Sequence, residues 1–128
     1  GEIAKTIEEA RGLAPLKEMT DKVEAALKTV VDTTQQLTKL LVEIDLYMSY
    51  ASPYLQMLSQ LVISWQLLWE SVVAQKALDG GSSERDFYLG KMAAARFYVN
   101  NDLAYAHTTA RIIKTGDRVA LDCKEEWL

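Results

Sequence analysis

The chain has 128 residues, one domain's length, and its 49% hydrophobic and 25% charged content is that of a globular protein, which excludes a fibrous repeat or a disordered tail. Fourteen Lys and Arg against 18 Asp and Glu give a net charge of -4 with no block of like charge, so nothing supplies the basic stripe that nucleic acid requires. One cysteine, Cys123, and one histidine, His107, are too few for a disulfide or a His/Cys metal cage and imply a reducing compartment without structural zinc.

The chain starts at Gly1 and places Glu2, Lys5, Glu8 and Glu9 in its opening segment, so no apolar signal segment is present there and a cytoplasmic protein is expected. A start inside a helical pattern also reads as one domain of a longer polypeptide. The first helix is expected over Glu2 to Arg11, ending at Gly12 and packing as a lid, and the chain restarts near Pro15, a first-turn residue. From there to about Ile44, Val23, Leu27, Val30, Thr34, Leu37, Leu41 and Ile44 follow alternating four and three spacing, the seam of one long amphipathic helix. Thr34 within that seam reads as a core hydroxyl bonded to its own helix.

A third helix is expected to open at Ser52-Pro53 and run to about Leu78 before Gly80 and Gly81. The uncharged run from Asp45 to Glu70 has a membrane helix's length, but Pro53, Gln56, Gln60, Gln66 and four serines interrupt it, so a buried helix is favoured over a transmembrane one. Gln56, Ser59, Gln60, Ser64, Gln66 and Glu70 fall on one arc, with Leu58, Leu61, Trp65, Leu68, Trp69 and Val72 opposite. Ile63 and Leu67 form an apolar pair inside the polar arc, where neutral side chains replace the usual charges, and read equally as a face covered by another surface or as two stray surface hydrophobes.

The fourth helix is expected from Ser83 or Glu84 to about Lys114, stopped by Thr115, Gly116 and Asp117. Its seam is Tyr88, Met92, Ala95, Val99, Leu103, Ala106, Ala110 and Ile113, whose alanines leave space for Trp65 and Trp69. Phe87, Ala94, Tyr98 and Tyr105 form a second stripe, read as core or interface packing ahead of a cofactor box. Lys91 lies on that stripe and Arg96 points elsewhere; both suit ion pairs with Glu70, Asp86 or Asp102, a structural or interface reading favoured over a grip on the phosphate or carboxylate of a ligand or partner chain. The last eleven residues, RVALDCKEEWL, read as a short docked helix or arm. The expected fold is therefore all-α: an antiparallel bundle of three long helices with a shorter N-terminal helix and a C-terminal arm, one domain over residues 1–128.

No catalytic constellation emerges. One histidine cannot build a di-metal carboxylate site, no G-x-S-x-G elbow exists, and the GGSS turn lacks the lysine of a phosphate loop. His107 falls near Arg96, Asn100, Arg111 and Lys114 on the helical wheel, a solvated or interface face.

The ordered set Phe87, Lys91, Ala95, Arg96, Phe97 and Tyr98, preceded by Pro53-Tyr54-Leu55 and an aromatic at Trp65, resembles the C-terminal helical extension of one branch of the acyl-CoA dehydrogenases. The resemblance extends through GEIAKTIEEARG at the front and RVALDCKEEWL at the end. It implies a domain of a longer FAD-dependent enzyme that oxidises an acyl-CoA to its trans-2-enoyl form. The catalytic and flavin-binding segments would lie upstream, so no catalytic, cofactor-binding or metal residue is assigned here. The resemblance further implies packing on the chain's own catalytic domains within a homo-oligomer, with the acyl-CoA a ligand of the parent only. Where that family often has Leu-Pro after its Phe-Tyr motif, this chain has Leu103-Ala104, so no proline supplies a kink. Two other readings stay open: a freestanding helical adaptor that receives a partner helix, and a small apolar-ligand carrier lined by Trp65, Trp69, Phe97 and Tyr98.

Overall fold

The computed structural model describes residues Gly1–Leu128 and consists of helices and turns without strands. Helix α1 spans Glu2–Arg11 and buries Thr6, Ile7 and Ala10, the i, i+1 and i+4 positions of one face. Pro15 sits in a single 3-10 turn, Ala14–Leu16, which leads into α2, Lys17–Lys39. Helix α3 is Ile44–Asp79, α4 Arg85–Asn101, α5 Ala104–Thr115, and α6 the four residues Val119–Asp122.

Seventeen buried residues from α1 to α5 and their connections form the main core, among them Leu16, Val23, Met57, Leu68, Val72, Met92 and Leu103. A second, smaller cluster of Leu37, Leu46, Tyr50 and Ile113 joins α2, α3 and α5. The Tyr50 hydroxyl donates to the Asp117 carbonyl at 2.9 Å, which satisfies the one polar atom of that cluster.

Four expectations change. Helix α3 begins at Ile44, so Pro53 lies inside it rather than at its first turn. Burial of Leu46 and Tyr50 holds the preceding turns helical although Pro53 has no N–H to give the Ser49 carbonyl. The seam of α2 rotates at its C-terminal end: Thr33, not Thr34, is buried, and Leu41 and Ile44 are exposed. An unsupercoiled helix drifts about 20° per heptad against a strict four-three pattern, and α2 stops at Lys39 before Leu41 is reached. Thr34 is nonetheless bonded to its own helix, donating to the Val30 carbonyl at 2.8 Å.

The expected fourth helix is two. Leu103 N–H bonds the Tyr98 carbonyl at 3.2 Å, a widened turn, and Ala106 N–H bonds the Leu103 carbonyl at 3.0 Å, a tightened one. The break falls at Leu103-Ala104 without a proline because Asn100, Asn101 and Asp102 are weak helix formers, and Asn101 Nδ2 competes for the Phe97 carbonyl at 2.8 Å. The seam survives, with Met92, Ala95, Val99, Leu103, Ala106 and Ile113 all buried. Gly116 ends α5 at φ 64, a left-handed cap that glycine adopts without a Cβ clash.

The C-terminal arm carries no apolar burial. Val119 and Trp127 are exposed, and α6 is too short to gather a face. Arg118 ties its root instead, pairing with Asp45 at 3.0 Å, Glu43 at 3.4 Å and Asp122 at 3.6 Å.

Candidate interface

Of the seven residues singled out from the sequence, Ile63, Phe87, Lys91, Arg96 and Tyr105 are exposed and Leu67 and Tyr98 are half-buried. Ile63 is 43% exposed, whereas Leu67, four residues on, is half-buried against the main core. Phe87 and Tyr105 are well exposed and Tyr98 is half-buried on the outer side of α4 and α5. Burial first and the Asp102 charge second push the Tyr98 phenol above its ordinary pKa, so it stays protonated. Lys91 and Arg96 are exposed and neither pairs with Glu70, Asp86 or Asp102. The Lys91 ammonium instead lies 5.6 Å from the centroid of the Phe87 ring, one helical turn away, a cation–π contact.

Helix α3 presents an apolar stripe that its polar arc conceals. Met48, Leu55, Val62 and Trp69 stand seven residues apart and therefore share a side, and all four are exposed, with Val73 one turn beyond Trp69. Trp69, expected in the core, is 52% exposed, while Ser64, expected outside, is completely buried. Apolar residues ring α3, so periodicity alone does not show which side meets its neighbours. Nor do the tryptophans fill the space beside the fourth segment's alanines: Trp65 Nε1 donates to Thr6 Oγ1 on α1 at 2.8 Å, and Trp69 borders the same groove.

That groove, about 310 Å³, is otherwise lined by Glu2, Lys5, Thr6, Glu9 and Gln66. Phe97 and Tyr98 do not border the groove that Trp65 and Trp69 line, so the four aromatics expected around an apolar ligand are not brought together there. The largest depression, about 760 Å³, lies between α2 and α5 and is polar except for Ala110. His107 is half-buried at its edge, its Nδ1 3.0 Å from Thr29 Oγ1, with Arg111 and Lys114 beside it as the wheel placed them. No group of three or more His, Cys, Asp or Glu side chains converges, and no helix is long and apolar enough to cross a membrane.

An all-helical chain with exposed apolar stripes around a buried apolar core matches the family model described as acetyl-CoA dehydrogenase C-terminal like, over residues 1–124. The chain belongs to that family. Within the acetyl-CoA dehydrogenase C-terminal-like family, the motif residues Phe87, Lys91, Arg96 and Tyr98 all lie in the matched region. The chain is also 36% identical over 74 residues to the broad-specificity linear acyl-CoA dehydrogenase FadE5 of Mycobacterium tuberculosis (strain ATCC 25618 / H37Rv), an alignment covering 56% of this chain and 12% of that relative. The chain thus matches a small part of the relative's length.

Proposed function

We propose that this chain is the C-terminal accessory domain of an FAD-dependent acyl-CoA dehydrogenase, an antiparallel bundle that packs on the catalytic body or on a neighbouring subunit of a cytoplasmic oligomer. The observation that carries the reading is the family match over residues 1–124, joined to a relative named as an acyl-CoA dehydrogenase of which the alignment covers 12%. The parent would oxidise an acyl-CoA to its trans-2-enoyl-CoA, with FAD as hydride acceptor. The residues of this chain do not fit the flavin: an isoalloxazine needs a flat apolar slot, and the largest groove offers Ala110 among nine polar side chains. No step of the oxidation is therefore assigned to residues 1–128.

What remains for this domain is contact. Met48, Leu55, Val62 and Trp69 on α3, and Phe87, Tyr98 and Tyr105 on α4 and α5, offer aromatic and apolar area of the kind that anchors protein interfaces. Ile63 and the half-buried Leu67 flank the first stripe, and Lys91 and Arg96 stand free to meet a partner's carboxylates at the rim.

The test is the intact mass of the native polypeptide recovered from cells with an antibody to these helices. A species several-fold heavier than 14.4 kDa is expected. A species near 14.4 kDa would overturn the reading and leave a freestanding helical adaptor in its place.

A further inference from the structure

The groove between α2 and α5 carries charge that the rest of the fold leaves unused. Lys39 from the end of α2 and Arg111 and Lys114 from the last turns of α5 line it, together with a single carboxylate, Asp32. None of these three cations forms an ion pair, although Arg118 nearby in sequence takes Glu43, Asp45 and Asp122 for itself. Three cations against one carboxylate leave two positive charges in one depression of a chain whose net charge is -4.

The groove is also braced. The Gln36 amide donates to the Lys114 carbonyl at 3.4 Å, and His107 Nδ1 and Thr29 Oγ1 meet at 3.0 Å, so α2 and α5 are tied at two points along the groove. Occupation of Nδ1 by Thr29 leaves the other ring nitrogen of His107 available at the groove's edge. Arg111 spends one Nη on Thr108 at 3.3 Å and keeps the other N–H groups of its fork.

We propose that this groove binds the phosphate group of a small phosphorylated molecule. A phosphate dianion matches the two uncompensated charges, the guanidinium fork grips two of its oxygens, and the two ammoniums act as point charges. A monocarboxylate would leave one of those charges unmatched. The site is built from residues of this chain alone and does not depend on what the apolar stripes contact.

The test titrates the 128-residue chain with inorganic phosphate and with pyrophosphate at constant ionic strength, following backbone amide and His107 ring resonances. Saturable shifts confined to Thr29–Lys39 and His107–Lys114 are expected, with pyrophosphate the tighter ligand. The Arg111→Gln, Lys114→Gln double variant is expected to weaken binding at least about tenfold, while Lys91→Gln leaves it unchanged. Equal shifts with sodium chloride, no saturation, or unchanged binding in the double variant would each overturn the proposal. So would an Asp/Glu-rich peptide that saturates the same residues more tightly than pyrophosphate, since the groove would then be a seat for an acidic segment.

Discussion

The indole N–H of Trp65 on α3 donates to the hydroxyl of Thr6 on α1 at 2.8 Å, and that hydroxyl in turn donates to the Glu2 carbonyl at 3.2 Å. One side chain thus accepts from one helix and donates within another. Thr6→Val keeps the shape and removes the acceptor, leaving a half-buried donor unpaired. A loss of about 1–2 kcal/mol in urea unfolding is expected, with the Trp65 emission altered before global unfolding as α1 loosens. Unchanged stability would mean that apolar burial of Ile7 and Ala10 alone holds α1.

Ser64 is completely buried and its hydroxyl has no partner, whereas the hydroxyl of Ser71, buried two turns along on the same face of the helix, donates to the Leu67 carbonyl at 2.8 Å. Ser64→Ala removes an unpaired polar atom and is expected to be neutral or to stabilise by about 1 kcal/mol. Ser71→Ala is expected to cost about 0.5–1 kcal/mol, and Leu68→Ala, which opens a cavity in the main core, about 2–5 kcal/mol. Denaturant midpoints of the three variants check the ordering.

Pro53 interrupts the hydrogen-bond ladder of α3. Pro53→Ala restores the donor for the Ser49 carbonyl and is expected to raise stability by about 1–3 kcal/mol. A lower Tm would show instead that a bend at Pro53 is needed for Leu46 and Tyr50 to reach Leu37 and Ile113.

Asp21 and Asp45 should govern acid sensitivity. Lys17 first and Arg11 second hold Asp21 below the ordinary value of 3.8, and Arg118 with the Leu46 N–H holds Asp45 below it. A carboxyl depressed in the folded state stabilises above its unfolded value, and that stability is lost as pH falls through the folded value. Thermal melts should therefore fall off as pH drops below about 4, more weakly in Asp45→Asn and at high salt, because both pairs are solvent-exposed. A variant with the same acid slope as the unsubstituted chain would remove Asp45 from the account.

Lys91→Ala and Arg96→Ala break no ion pair. Circular dichroism and Tm should change little, by at most about 0.5 kcal/mol, while binding to the parent's catalytic body weakens. Unfolding of either variant would show a structural role that the exposed positions do not suggest.

Much of the helical order was legible in local chemistry. Gly12, Pro15, the Gly80-Gly81 turn and Gly116 punctuate the chain where the helices stop or restart, because each restricts or frees the backbone irrespective of its surroundings. The seam from Tyr88 to Ile113 was equally readable, since small and large apolar residues alternate there against a polar background. The resemblance to the acyl-CoA dehydrogenase extension rested on ordered residues and agrees with the family match.

Tertiary structure decided the rest. Helix α3 is apolar around most of its circumference, so only its neighbours determine that Ser64 turns inward and Trp69 outward. Burial of Leu46 and Tyr50 carries helix through Pro53, and the Asn101 side chain with the 98–106 turns breaks the fourth segment where no proline stands. The cationic groove draws Lys39 and Lys114 together from residues 75 positions apart, a juxtaposition that packing creates and periodicity within a single helix does not encode.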